Sequence, residues 1–149
     1  MIYLLDTDTL VFMVRGLKSG RRPAEQQRAR GLVQRCRRAQ SSDDSVGLSA
    51  VTVSELEFGA RCSGRYEAEI SAVRKLLMPF VIYDYDSVSC PPHYGRIRHD
   101  LETRGQTIGS MDLLIAAHTL SLDATLVSTN LAHFSRVAGL IAESWLPRS

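Results

Sequence analysis

Short runs of consecutive apolar residues, rather than alternating ones, divide this chain into segments. The first run covers residues 2–5 and is followed at once by a carboxylate, Asp6. A continuous apolar run of this length is typical of a strand that is buried on both faces of a parallel sheet. The further strands predicted on the same grounds are residues 46–49, 80–83, 124–127 and, as a fifth short candidate, 140–145.

Segments with apolar residues at helical spacing lie between these strands. The predicted helices are residues 9–14, 24–39, 50–64, 67–78, 94–104 and 110–121. Pro23 suits the first helical position, whereas Pro91 and Pro92 are expected to delay the fifth helix until Tyr94. The alternation predicts an α/β fold, a short parallel sheet of four to five strands flanked by helices on both faces. No repeat or linker divides the sequence, so we expect a single domain over residues 1–149.

The composition excludes several classes of protein without identifying one. With 149 residues, 44% of them hydrophobic and 23% charged, the chain resembles an ordinary globular domain that buries about 70% of its unfolded surface. No apolar run reaches the length of a membrane span, and the first residues lack the basic leader of a secretory signal. Cys36, Cys62 and Cys90 are scattered and odd in number, which predicts reduced thiols rather than a disulfide framework. We therefore expect a cytoplasmic protein with no membrane association.

The net charge of +2 hides a strong separation of charge along the chain. Residues 15–38, called the basic segment below, hold nine Lys or Arg and one acid, Glu25, which gives a charge of +8. The rest of the chain holds nine basic and fifteen acidic residues, a charge of −6. A basic surface on an acidic body is suited to attract a polyanion while cations bind elsewhere. A solvated arginine-rich helix is the alternative, and the sequence leaves both open.

Four oxygen-bearing side chains are candidates for a functional site. Asp6 directly follows the first predicted strand, and Asn130 follows the fourth. Glu55 lies in the middle of an apolar helix face, and Asp112 lies in the first turn of another helix. Functional groups of open parallel sheets collect at the carboxyl ends of the strands. We therefore expect these four side chains to converge on one rim of the sheet.

Two of these residues also have purely structural explanations. Glu55 lies three residues after Thr52 and would complete a capping box at the start of its helix. Asp112 would complement the helix dipole, as acids in a first turn commonly do. Both explanations stay open beside the functional one.

The types of residue restrict the chemistry of such a site. Carboxylates without paired His or Cys ligands favour hard divalent cations, Mg²⁺ or Mn²⁺. The four histidines, at positions 93, 99, 118 and 133, show no ligand spacing, and the sequence has no Gly-rich phosphate loop or nucleophile motif. Acids that hold Mg²⁺ beside a basic surface indicate phosphodiester hydrolysis, because the ion activates a water and neutralises charge on the phosphate.

Five segments, in order along nearly the whole chain, resemble the PIN-domain ribonucleases, and specifically the VapC toxins of bacterial toxin–antitoxin pairs. They are YLLDTDTL, SAVTVSELEFGA, YGRIRHDLETRG, IGSMDLLIAAHTL and TLVSTNLAHFSRVAGL. The resemblance implies a PIN-like domain that acts as a Mg²⁺-dependent endoribonuclease, commonly on tRNA or rRNA. It also implies neutralisation by a cognate antitoxin of the VapB type, and a homodimer that joins the antitoxin in a hetero-oligomer.

The resemblance also assigns roles by position. Asp6, Glu55 and Asp112 match the acidic triad of the family, and Asn130 occupies the place of a fourth acid. In this scheme Asp6 and Asp112 bind Mg²⁺ directly, and Glu55 binds the ion or orients a water. Asn130 holds a water or a weak second ion, and the attack on phosphorus leaves a 5′-phosphate. The basic segment, together with Arg96 or Arg98, is expected to hold the RNA backbone.

The sequence departs from the family pattern in several places. Asp8 stands where Asn is usual, and its charge is expected to tighten metal binding or to raise the pKa of a neighbour. Asn130 keeps an oxygen but lacks the charge of the usual Asp, so a second ion is expected to be weak or to arrive with RNA. Residues 89–92 replace a helix-forming stretch. Residues 16–44 are longer than usual and are expected to form part of the RNA groove or of the antitoxin-binding surface.

Two other functions compete with this hypothesis. A haloacid-dehalogenase-like phosphatase would use Asp6 and Asp8 as nucleophile and general acid, but it requires a lysine near the site. The only lysines are Lys18, in the basic segment, and Lys75, inside a predicted helix. The other competitor is a binding module for RNA or a partner with a decayed site. Mg²⁺-dependent cleavage of RNA distinguishes the ribonuclease from both.

Overall fold

A computed structural model describes residues 1–146, so the last three residues of the domain expected over 1–149 lie outside the described residues. Strands and helices alternate from the first described residues to the last. The elements are β1 (Ile2–Leu5), α1 (Thr7–Gly16), α2 (Pro23–Ser41), β2 (Ser45–Ser49), α3 (Ala50–Cys62), α4 (Tyr66–Leu77), β3 (Val81–Tyr83), α5 (Cys90–Thr103), α6 (Ser110–Ser121), β4 (Thr125–Val127), α7 (Leu131–Phe134) and β5 (Ala142–Glu143).

The strands form one parallel sheet in the order β3-β2-β1-β4-β5, which confirms the predicted α/β fold. Leu5 at the end of β1 is in register with Leu48 of β2 and Val127 of β4. The chain winds outward from β1 in both directions, and such a reversal of strand order opens a crevice at the carboxyl ends. Asp6 therefore leaves the sheet at the centre of its carboxyl edge.

The two faces of the sheet carry separate hydrophobic cores. Leu5 belongs to the core formed with α1, α2, α3 and α4, and Leu4 belongs to the core formed with α5 and α6. Both leucines are fully buried because successive strand residues point to opposite faces. Burial on both sides explains why β1 is an uninterrupted apolar run.

Helix α5 begins at Cys90, so the prediction that the two prolines delay this helix until Tyr94 is wrong. Pro91 and Pro92 lie in its first turn, where the backbone N–H groups have no partner within the helix. Proline loses no hydrogen bond there, and its fixed φ suits the helix. A helix between the fourth strand and the possible fifth is expected from the alternation without bounds, and it is confirmed as the four-residue helix α7, which follows Asn130 directly.

The remaining global predictions concern membranes and disulfides. None of the helices between residues 1 and 146 combines the length and the apolar character that crossing a membrane requires. Cys36 and Cys90 are buried, Cys62 is exposed, and all three are free, as predicted.

Gly47→Ala should destabilise the fold, because β2 and β3 approach each other closely at this residue. A Cβ atom on Gly47 would overlap the carbonyl oxygen of Val81 and lie 2.7 Å from a ring carbon of Tyr83. We expect a loss of about 1–3 kcal/mol in the free energy of unfolding by urea. Gly59→Ala is the control, since a Cβ there meets no atom within 4 Å in a helix, and it should gain about 0.5–1 kcal/mol. Equal stability of both variants would contradict this account of β2.

Candidate active site

Asp6 joins the end of β1 to the start of α1. It is the N-cap residue of α1, and its Oδ1 accepts a hydrogen bond from the backbone N–H of Thr9 at 2.9 Å. Its Oδ2 accepts a hydrogen bond from the hydroxyl of Ser128. The residue is only 3% exposed. Burial raises the pKa of the Asp6 carboxyl above its ordinary value, the bonds from Ser128 and Thr9 oppose this, and the charge of Asp8 adds to the increase.

Ser128 connects Asp6 to Asn130. Its hydroxyl donates to Asp6 and at the same time accepts a hydrogen bond from the backbone N–H of Asn130 at 2.8 Å. Ser128 is almost fully buried and follows β4, which pairs directly with β1. The ends of these two neighbouring strands are therefore tied together by one hydroxyl.

His133 connects Asn130 to Asp112. The side-chain amide nitrogen of Asn130 lies 2.8 Å from Nδ1 of His133, and this ring nitrogen lies 3.9 Å from Oδ2 of Asp112. Asp112 is in the first turn of α6, as predicted. Burial raises the pKa of the Asp112 carboxyl, the charge of Asp8 raises it further, and His133 opposes both. The expectation that Asp8 raises the pKa of a neighbour is thus confirmed for Asp6 and Asp112.

Glu55 is held by the residue that follows Asp6. The hydroxyl of Thr7 donates to Oε1 of Glu55 and also lies 3.2 Å from the hydroxyl oxygen of Thr52. Helix α3 begins at Ala50, and its N-cap residue is Ser49, whose hydroxyl accepts from the N–H of Val51. Glu55 is therefore well inside the helix, and the alternative of a capping box with Thr52 is wrong.

The structure thus links all four candidate residues into one network at the carboxyl edge of the sheet. Thr7 connects Glu55 to the start of α1 beside Asp6, while Ser128 and His133 connect Asp6 through Asn130 to Asp112. Within residues 1–146, no three His, Cys, Asp or Glu side chains are close enough together to hold one ion. The assignment of these four residues to catalysis and metal binding stays a prediction.

Three residues of this network were not identified from the sequence: Thr7, Ser128 and His133. Thr7 lies between two acids and Ser128 follows a strand, so a hydroxyl at either place was a detectable signal. His133 was set aside because the histidines show no ligand spacing. Its position three residues after Asn130, across one helical turn, is the signal that places the two side chains side by side.

The network carries unbalanced negative charge. Asp6, Asp8 and Glu55 form no ion pair with any basic side chain of the described residues, and Asp112 has only the contact with His133. Like charges held close together favour the uptake of a cation. Oxygen donors of this kind suit Mg²⁺ or Mn²⁺, so the residues present fit a hard divalent ion.

Asp112→Asn should stabilise the fold at pH 7 in a buffer without divalent cations. The pKa of Asp112 is raised above 3.8, so its ionised form costs stability at every pH above that value. We expect a melting temperature a few degrees higher at pH 7, a gain that shrinks as pH falls through the raised pKa and vanishes below 3.8.

Melting curves between pH 3 and pH 8 would measure this gain. Glu67→Gln is the control, because Glu67 is an exposed acid on α4 and takes no part in the network. If Asp112→Asn raises the melting temperature by the same amount at pH 3 as at pH 7, the charge of Asp112 is not the cause of the gain.

Comparison with known proteins gives one consistent result along almost the whole chain. The family model of the PIN domain matches residues 3–140. Ribonuclease VapC2 of Rickettsia felis is 32% identical over 145 residues, which cover 97% of this chain and 98% of the relative. The tRNA(fMet)-specific endonuclease VapC of Shigella flexneri is 29% identical over 143 residues, 96% of this chain and 97% of the relative.

Solved structures agree with the sequence comparison. The crystal structure of VapBC2 from Rickettsia felis bound to a DNA fragment from their promoter contains a similar chain, with a TM-score of 0.80 and 30% identity. The similarity covers 97% of this chain and 99% of that one. The family expected from the sequence motifs is therefore confirmed. The chain belongs to the PIN-domain family, among the VapC ribonucleases.

Proposed function

We propose that this protein is the endoribonuclease toxin of a toxin–antitoxin pair and hydrolyses phosphodiester bonds of RNA with the help of Mg²⁺, which Mn²⁺ can replace. The observation that carries the proposal is the network that joins Asp6, Glu55, Asp112 and Asn130 at the centre of the carboxyl edge. The chain resembles ribonucleases over 97% of its length, which supports the same reaction. We take the whole chain as one catalytic domain that acts in the cytoplasm.

The donors of the network suit a divalent ion that retains part of its water. Each carboxylate oxygen of Asp6 accepts one hydrogen bond, so each keeps a lone pair for a ligand. Mg²⁺ dehydrates reluctantly and usually binds proteins through one or two carboxylates and several waters. Asp6 and Asp112 would hold it directly, and a tight cluster of three acids is not required.

The chain's own residues then prepare the reaction. When bound, Mg²⁺ supplies activation of a water and neutralisation of the charge that develops on the phosphate. Ser128 keeps Asp6 oriented, and Thr7 fixes one oxygen of Glu55. Glu55 orients the attacking water and receives its proton, while Asn130 presents its amide to a water at the edge of the site. The water attacks phosphorus in line with O3′, the P–O3′ bond breaks, and O3′ takes a proton from solvent, which leaves a 3′-hydroxyl and a 5′-phosphate.

We propose tRNA as the first RNA class to test, because the Shigella flexneri relative carries that specificity in its name. We also propose a VapB-type antitoxin as partner, since the similar Rickettsia felis chain was solved in a VapBC2 complex, and a homodimeric toxin within it. An apolar groove of about 430 Å³ between α1, α3 and α4 includes Glu55 and Phe58, which is 71% exposed. A partner segment in this groove would cover Glu55.

The phosphatase alternative has no support in the geometry. It requires a lysine beside Asp6, but Lys18 follows the far end of α1 and pairs with Glu69 at 2.6 Å. Lys75 lies in the last turn of α4. A decayed site would not explain why the hydroxyls of Thr7 and Ser128 both hold carboxylates in place.

Substitution of the acids tests the proposed function. Asp6→Asn, Glu55→Gln and Asp112→Asn should each lower the rate of tRNA cleavage at least about 100-fold, because each removes charge that holds the cation or the water. EDTA should abolish tRNA cleavage by the wild-type protein, and added Mg²⁺ or Mn²⁺ should restore this activity. Cleavage on denaturing gels and circular dichroism would measure rate and folding.

Glu57→Gln is the matched control, since Glu57 lies two residues from Glu55 on the same helix but bonds the hydroxyl of Tyr66 at 2.7 Å. We expect it to cleave at the wild-type rate. Folded acid variants that cleave as fast as this control would refute the assignment.

Ser128→Ala should slow cleavage by about 10- to 100-fold, the usual effect of losing a residue that orients a ligand. Alanine leaves an oxygen of buried Asp6 and the N–H of Asn130 without their partner. Ser128→Thr keeps the hydroxyl and should retain most of the activity. Initial rates over a Mg²⁺ titration would separate a weaker affinity for the ion from a slower reaction. If both variants lose activity equally, the hydroxyl is not the cause.

A further inference from the structure

Helix α2, which carries most of the basic segment, lies far from the candidate active site. Asp6 caps the start of α1, whereas α2 packs on its far end, where a Cβ atom on Gly16 would lie only 2.5 Å from Cβ of Ala29. Ten residues of helix separate Asp6 from Gly16, a distance of about 15 Å. The contact between Gly16 and Ala29 places the side of α2 that faces α1 at the end of α1 remote from Asp6.

The other end of α2 is at the opposite edge of the sheet. Asp44, three residues after α2 ends, binds the N-terminal amino group at 3.3 Å, and the N–H of Ser45 donates to the carbonyl of Met1 at 2.9 Å. These contacts place the end of α2 beside the first residues of β1 and β2. Both ends of α2 thus lie away from the carboxyl edge.

One face of α2 is both cationic and free of apolar residues. Its buried residues are Ala29, Leu32, Cys36 and Ala39. At 100° per residue, five polar side chains lie on the opposite, exposed side. This group, called the outer face of α2 below, consists of Gln27, Arg30, Gln34, Arg37 and Arg38. The exposed large apolar side chains of the described chain all lie outside α2.

Within residues 1–146, the arginines of the outer face form no ion pair and stack on no aromatic ring, unlike several other basic side chains. Arg28 and Arg35 stack over the rings of Phe12 and Trp145, at 5.6 Å and 5.0 Å from the ring centres. Lys18 is paired with Glu69, and on α5 Arg98 is paired with Glu102 at 2.9 Å. No carboxylate of residues 1–146 forms an ion pair with Arg30, Arg37 or Arg38.

We propose that the outer face of α2 is a second RNA-binding surface, which holds the sugar–phosphate backbone about 15 Å or more from the scissile bond. This rests on the proposed ribonuclease function. Guanidinium groups bind phosphate in a two-pronged geometry, and the intervening glutamines donate to phosphate and ribose oxygens. A protein partner would require apolar anchors at the centre of the interface, and the five side chains of the outer face include none. An apolar groove of about 250 Å³ borders this face only at Arg37, beside Val33 and Leu76.

The separation has a consequence for the substrate. An RNA must be long enough or suitably folded to contact α2 and the candidate active site together. A folded tRNA therefore gains affinity from α2, while a six-nucleotide RNA bound at Asp6 gains none. Contacts with phosphate release counterions, so this gain depends steeply on salt.

The test compares two variants that each lower the net charge by four. The first, Arg30→Glu with Arg37→Glu, changes the outer face. The matched control, Arg65→Glu with Arg74→Glu, changes exposed positions at α4. Binding of labelled tRNA and of a six-nucleotide RNA is measured in EDTA over a range of salt, so that no cleavage occurs.

We expect the α2 variant to bind tRNA at least about 10-fold more weakly than the control at 150 mM salt, with a salt slope reduced by about 1.5. Its affinity for the six-nucleotide RNA should match that of the control. Equal tRNA affinities of the two variants would overturn the proposal and leave this helix to a protein partner. If the glutamates impair folding, Arg30→Gln with Arg37→Gln is compared with Arg65→Gln with Arg74→Gln, which each lower the net charge by two.

Because binding is measured without cleavage, the two proposals fail separately. A wild-type protein that cleaves no RNA, but whose α2 variant loses tRNA affinity, contradicts the ribonuclease function and supports the surface. If the wild-type protein cleaves tRNA but the α2 variant and the control bind tRNA equally well, the ribonuclease function is supported and the α2 surface is contradicted.

Discussion

The structure depends most on the burial of one carboxylate at the end of the central strand. A carboxylate in an apolar environment is costly unless hydrogen bonds or a cation compensate it. Asp6 is compensated by the first turn of α1 and by Ser128 after β4, so the same two bonds that keep it ionisable also fix the start of a helix and the end of a neighbouring strand. Distortion of either element would displace the carboxylate, so the position of Asp6 depends on the direct pairing of β1 with β4.

The negative charges around Asp6 lower the stability of the fold. Burial raises the pKa of both Asp6 and Asp112, and the charge of Asp8 raises both further. Functional sites commonly retain such unfavourable arrangements because the ligand relieves them. A divalent cation at this rim would remove the repulsion, so its binding would stabilise the fold through the same three acids.

The sequence was sufficient to predict those elements whose limits are set by a local pattern of residues. The limits of β1 and α6 were predicted to the residue, because burial on both faces and a nearly continuous apolar helix leave a clear pattern. Pro91 and Pro92 misled the prediction, since proline breaks a helix interior but is accepted in a first turn. Contacts between distant segments, such as Thr7 with Glu55 and Ser128 with Asp6, have no local pattern. The family resemblance supplied the acids, but not the hydroxyls that hold them.

Helix α1 connects two regions of opposite charge, the acidic network that begins at Asp6 and the arginine-rich helix α2. Its first residue is capped by Asp6 in the acidic network, and its last residue, Gly16, permits the close approach of α2. If the arginines of α2 lay beside the acids, ion pairs between them would neutralise both and would compete with the cation and with the phosphate. Within residues 1–146, no ion pair joins the acids of the network to the arginines of α2, so the acids would remain available for the proposed cation and the arginines for the proposed RNA. The uneven distribution of charge along the sequence therefore corresponds to two separate surfaces. Acids and arginines can bind different ligands only while they do not pair with each other.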